Sequence, residues 1–181
     1  MAFRYFTDPE NFAYLRDDST PCEFCGATSH RLDGGHLYGV DEIDAACFDC
    51  VQRGALIERD ISTNSVNLAE VRTAIGDEAA ESLTNVIVYC TPKLPSWQDT
   101  FWPFVDGDFA TFIKIASKID FVDQKQFTES ILPDGISEPD PEWQWEMLPD
   151  HPIRNIKEGQ YDMSIYLFRR DDRLVTIWDA N

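Results

Sequence analysis

Cys22-Glu23-Phe24-Cys25-Gly26 and Cys47-Phe48-Asp49-Cys50 are two C-x-x-C pairs separated by 21 residues. That spacing reads as a four-thiolate zinc site, because two residues between cysteines let one tight turn aim both sulfurs at a single tetrahedral ion. Gly26 supplies the backbone freedom such a turn needs. Four thiolates close the tetrahedron, so the expected Zn2+ is a single structural ion held by Cys22, Cys25, Cys47 and Cys50. Two other readings stay open, a redox dithiol and an iron–sulfur ligand set. The redox reading asks for a neighbouring βαβ pattern, which this region lacks.

Working outward from the cysteines, Leu32-Asp33-Gly34-Gly35-His36-Leu37-Tyr38 places turn signals between strand-forming residues and predicts a hairpin. Val51 to Arg59 reads as a short helix. Knuckle, hairpin, knuckle and helix together describe a treble-clef-like unit over residues 1–62. His30 and His36 fall inside it, as alternative ligands, as groups that orient a cysteine, or as ordinary surface residues.

Residues 63–181 read as an α+β body, with the two parts as one continuous domain the alternative. Leu68, Val71, Ala74 and Ile75 have helical spacing within 66–83, and Gly76 breaks or bends that helix. Val86 to Tyr89 is a β-branched apolar run that predicts a buried strand, with Cys90 a buried thiol after it. Thr91 to Pro95 must leave a sheet, since proline supplies no ladder donor. Ser96 is placed to cap a helix through Trp97 to Trp102, and Phe109, Phe112, Ile113 and Ala116 are spaced as the apolar face of another. Met163–Arg169 and Leu174–Trp178 flank a polar turn and predict a C-terminal β-hairpin.

The 181 residues contain 33 Asp and Glu against 15 Lys and Arg, a net charge of −18. Nucleic-acid binding needs a basic footprint to release counterions from phosphate, and anionic lipid asks the same. Neither partner is expected. An acidic surface instead favours fast association with a basic protein. The segment from Glu129 to Asp150 has seven acidic residues, four prolines and no Lys or Arg. It reads as a long irregular excursion and as the candidate partner surface, with Glu138, Asp140, Glu142, Trp143, Trp145, Glu146 and Asp150 as its contacts. The alternative for Trp143 and Trp145 is that they anchor the excursion on the core.

The start, Met1 to Glu10, lacks an apolar stretch of signal-peptide length, and no apolar run approaches the roughly 20 residues that span a bilayer. A cytoplasmic protein with reduced thiols is therefore expected.

Several separated stretches resemble the CbrC-like proteins, a family known for a member named for tolerance to an E-type colicin. Phe3-Arg4-Tyr5-Phe6-Thr7-Asp8-Pro9 is similar to its opening, and Pro21-Cys22-Glu23-Phe24-Cys25-Gly26 to its first cysteine pair. Cys47-Phe48-Asp49-Cys50 with Val51, Gly54 and Ala55 is similar to the second pair. The most distinctive match is Thr91-Pro92 followed by Ser96-Trp97-Gln98 and Trp102. Lys93 departs from the family's usual glycine, and the second pair lacks the neighbouring proline and tryptophan. Tyr166-Leu167-Phe168-Arg169 resembles an ending that carries a further cysteine pair in some members; Arg170 and Arg173 stand there, so a second metal site is not expected. The resemblance implies a bacterial zinc protein linked to surviving a protein toxin, with no established enzymatic activity.

The expected function is thus a non-enzymatic immunity or tolerance protein that neutralises a basic, nuclease-like or colicin-type toxin. The alternative is an intracellular zinc-containing adaptor that gives tolerance indirectly. An uncharacterised hydrolase ranks third: no H-E-x-x-H, phosphate-binding glycine loop or G-x-S-x-G is present, and three histidines offer few general bases. Asp106 and Asp108 are the kind of carboxylate pair such an enzyme would use, but solvated acidic loops explain them better.

Overall fold

A strand with no polar face must be covered on both sides, and Met163–Arg170 (β6) is such a strand. In the computed structural model, which describes residues 3–98, 100–132, 140–159 and 161–180, it is the middle of a three-stranded antiparallel sheet. Its neighbours are Thr111–Ile115 (β5) and Arg173–Ala180 (β7). Side chains alternate across a strand. Tyr166 and Phe168 therefore enter one apolar cluster, and Met163, Ile165 and Leu167 enter another on the opposite face.

The first cluster is the larger. It gathers Phe3, Phe6 and Phe12 from the N-terminal segment, Phe48 and Val51 beside the second cysteine pair, and Ala80, Ile87 and Trp102. It draws on residues from both sides of position 62, and ring packing runs through it, with Phe112 edge-on to Phe6 at 4.7 Å and to Phe168 at 5.4 Å. The N-terminal segment also bonds to the sheet, since Phe112 N–H donates to Tyr5 and Thr7 N–H to Phe112.

The opposite cluster holds Ala116, Phe121, Phe127 and Leu148, with Trp145 packed against it. Two short helices supply this layer, Gln124–Ser130 (α5) and Pro141–Met147 (α6). Part of the expected irregular excursion is thus a helix, started by Asp140, whose carboxylate accepts from the N–H groups of Glu142 and Trp143.

Three local expectations are corrected. Val86–Tyr89 is not a strand but the last turn of Asp77–Cys90 (α4), in which Ala80, Thr84 and Ile87 are buried at helical spacing. The β-branched run was decided by the frame set upstream, from Gly76, which ends Leu68–Ile75 (α3) and precedes α4. Trp97–Trp102 is not a helix. The N–H groups of Trp97 and Gln98 donate instead to the buried carboxylate of Asp179 at 2.5 and 3.2 Å, and Trp102 turns inward to donate from Nε1 to Ala110. Phe109, Phe112 and Ile113 lie on strands and Ala116 directly follows β5, with Phe109 in Asp108–Phe109 (β4), which pairs with Phe104–Val105 (β3). Phe109 and Phe112 enter the first cluster while Ile113 and Ala116 face the second, so apolar residues from both faces of the sheet imitate helical spacing.

Between the cysteine pairs, Arg31–Asp33 (β1) and Ala45–Cys47 (β2) pair antiparallel. The hairpin is wider than expected, because a 3-10 turn over Gly34–His36 and the following loop separate its strands. At Gly34 two backbones touch: its N–H donates to Asp44 at 3.0 Å, and any Cβ would fall onto the carbonyl oxygen of Ile43. Gly34→Ala is expected to destabilise the chain by about 2 kcal/mol, roughly 5 °C in Tm for this size, measured by thermal melts against Gly35→Ala as control.

Candidate metal centre and acidic concavity

The first cysteine turn is closed by Gly26 N–H donating to Cys22 and by Cys22 N–H donating to Ala27, both at 2.8 Å. Gly26 takes φ +75°, the left-handed conformation such a turn asks of glycine. Cys47 ends β2 and leads directly into Phe48–Gln52 (α2), which carries Cys50. The hairpin pairing then brings the two turns together. The four sulfurs all lie within 4.8 Å of one another, with Cys25 and Cys47 at 3.5 Å, and none of the cysteines is in a disulfide.

Four sulfurs at about 2.3 Å from one ion would stand about 3.8 Å apart, so this cluster has the size of a filled tetrahedron. Its surroundings are built for thiolate. Burial alone would push the Cys22 thiol up, but N–H groups of Cys47, Phe24 and Cys25 outweigh it and bring it down to about 7. Burial, followed by the neighbouring thiols, pushes Cys50 up. The Cys22 sulfur ionises readily, whereas the Cys50 sulfur needs a cation beside it. The guanidinium of Arg53 donates to the Cys50 sulfur at 3.0 Å. These residues fit a divalent ion that holds two chain segments together.

Neither histidine of this unit joins the cluster. His30 lies 3.5 Å from Glu10, and His36 stacks on Tyr14 with ring centres 3.7 Å apart. Cys90, at the end of α4, is half-buried with its thiol pushed up by burial, and is not part of the cluster.

The expected partner-binding residues are spread over different roles. Asp140 caps α6, Trp145 packs on Phe121 and Phe127, and Asp150 pairs with Lys118 at 2.9 Å. Glu142, Trp143 and Glu146 are exposed on α6. Glu138 lies outside the described residues.

What the sequence reading missed is a concavity of about 560 Å³ beside the cysteine unit, lined by Glu23, Asp33, Asp41, Glu42 and Asp44 with Arg16. The Asp41-Glu42-Ile43-Asp44 run was its visible signal. Arg16 is held by Asp18 at 2.7 Å and Asp33 at 3.5 Å. Glu23 accepts from Asp44 N–H at 2.6 Å and from Arg59 at 2.8 Å. Among the described residues, no hydrogen bond or ion pair reaches the carboxylates of Asp41 and Glu42.

The Asp44 N–H first, and then Arg59, hold the Glu23 carboxyl below the usual carboxylate range. Such a group adds stability that is present above its unfolded value and is lost as pH falls through its folded value. The Tm advantage of the wild type over Glu23→Gln is therefore expected to be positive near neutral pH and to vanish in strong acid, as read by paired thermal melts across pH.

No helix among the described residues is long and apolar enough to cross a membrane. No solved structure matches this chain. Two curated relatives, "UPF0167 protein Mb2317" of Mycobacterium bovis and "UPF0167 protein MT2352" of Mycobacterium tuberculosis, are each 26% identical over 112 residues, 61% of this chain. The match spans 58% of the length of each relative. The profile of an uncharacterised protein family, UPF0167, matches residues 1–171, and the chain belongs to that family.

Proposed function

We propose that this chain is a non-enzymatic binding protein, built on one structural Zn2+, whose acidic surface captures a basic protein of the toxin kind. The observation that carries this reading is the acidic concavity beside the cysteine cluster, where the carboxylates of Asp41 and Glu42 have no partner among the described residues. Lysine or arginine side chains of a basic domain would enter it, steered by the −18 charge of the chain. The resemblance to CbrC-like proteins supports toxin tolerance as the setting and the cytoplasm as the place. Exposed Trp143, with Glu142 and Glu146 beside it on α6, offers a second contact region of the same charge.

Zinc is the natural ion for four thiolates in a closed tetrahedron. Cys22, Cys25, Cys47 and Cys50 would hold it, and it would supply cross-linking of two chain segments. Metal binding free energy at such a site is folding free energy. Cys50→Ser, or chelation of the wild type, is expected to remove one zinc per chain and about 4 kcal/mol, or roughly 10 °C in Tm. Metal analysis and thermal melts on the same sample check this; full stability after complete metal loss would refute it.

The functional test is a binding titration of the full chain against purified basic toxin nuclease domains at rising salt. A complex that weakens with salt, and about tenfold in a D41N/E42Q/D44N variant, is the expected result. Absence of binding to any such domain would transfer the assignment to the zinc-containing adaptor that gives tolerance indirectly.

A further inference from the structure

In a chain with 33 acidic and 15 basic side chains, three arginines share one concavity. Arg4, Arg169 and Arg170 line a space of about 490 Å³ with Tyr5, Asp108 and Asp171, and it has no lining residue in common with the acidic concavity. The fold brings them together from distant segments. Arg4 rides on the N-terminal segment bonded to β5, while Arg169 and Arg170 end β6, with Arg169 registered against Thr111.

Acceptors in this space are already committed. Asp108 accepts from the Tyr5 hydroxyl at 2.6 Å, from Phe109 N–H at 2.8 Å and from Arg4 at 3.0 Å. Burial first, and then this bond to Asp108, push the Tyr5 hydroxyl well above its ordinary range, so Tyr5 stays neutral. Arg170 is left with distant partners, Asp171 at 3.4 Å and Asp108 at 3.9 Å. Its Nε is buried and has no hydrogen-bond partner among the described residues. The Arg169 guanidinium makes no hydrogen bond or ion pair among those residues. Guanidinium donors therefore outnumber the acceptors available to them, and a buried donor left without a partner is costly.

We propose that this pocket binds a phosphate group carried by a small phosphorylated molecule. A planar carboxylate takes its donors in one plane, whereas the oxygens of a tetrahedral phosphate can engage donors that approach from several directions, as those at the end of a strand do. The volume exceeds that of the bare ion, and half-buried Ile113 on the wall offers apolar contact to the rest of the ligand. The chain's net negative charge does not forbid this, because carboxylates beyond about 8 Å are screened at physiological salt. The proposal is independent of the acidic surface and of the zinc.

The test is calorimetric titration of the full zinc-loaded chain with inorganic phosphate and, separately, with glycerol 3-phosphate, at constant ionic strength. Saturable binding of both is expected, with the ester several-fold tighter. Arg170→Gln and Arg169→Gln should each weaken it by about tenfold, and Arg72→Gln on α3 should not change it. Arg169 is exposed, so its variant carries the test if the Arg170 variant does not fold. No heat with either probe, or wild-type affinity in folded Arg169→Gln, would overturn the site. Equal affinity for the two probes would overturn the phosphorylated-molecule assignment and leave free phosphate as the ligand.

Discussion

Burying both faces of Met163–Arg170 obliges the chain to supply two apolar layers, and the order of the sequence follows from that demand. The face of Tyr166 and Phe168 is covered by residues from the first half of the chain, including Phe6, Phe48 and Ile87. The face of Met163, Ile165 and Leu167 is covered by α5, α6 and the segments around them. Tyr166 shows how firmly the strand is fixed: its ring is fully buried, and its hydroxyl donates to Pro95 at 2.8 Å. The same Thr91–Ser96 stretch is buried throughout, so a segment that leaves α4 without regular structure is nonetheless part of the core. Its polar groups are met by Asn64, whose amide donates to Thr91 and Pro92 and accepts from Leu94. A buried irregular segment is tolerable only when its backbone is accounted for in this way.

How much of this was legible depended on how local the cause was. The cysteine pairs were readable because ligand geometry constrains spacing directly, and the C-terminal hairpin because two apolar runs flank a polar turn. Gly76 was readable as a break for the same local reason. Val86–Tyr89 was not, since a β-branched run is a weak preference and the helical frame begun at Asp77 overrides it. Phe109, Phe112, Ile113 and Ala116 misled because the sheet is covered on both faces here, so its apolar residues do not alternate with polar ones. Trp97 and Gln98 were misread because their backbone partner, Asp179, is more than eighty residues away. The acidic concavity needed the fold: Glu23 and Asp41 belong to different segments, brought together where Glu23 bonds to the backbone of Asp44 and Ala45.

Charge is distributed by the same logic. The arginines around the cysteine unit are spent internally. Arg31 is buried and donates to the carbonyls of Thr20 and Asp18, and Arg53 donates to the Cys50 sulfur. Arg16 is tied to Asp18 and to the carbonyl of Asp44, and Arg59 bonds Glu23 while lying over the Phe24 ring. Four thiolates around one divalent ion carry a formal charge of minus two, and nearby guanidiniums soften that field. Arg16 and Arg59 meet the carboxylates of Asp18, Asp33 and Glu23, which leaves Asp41 and Glu42 without a cation among the described residues. The acidic character of this face therefore rests on where the cations are placed as well as on composition. Had Arg16 and Arg59 reached Asp41 and Glu42 instead, the same net charge would have left this part of the concavity closer to neutral.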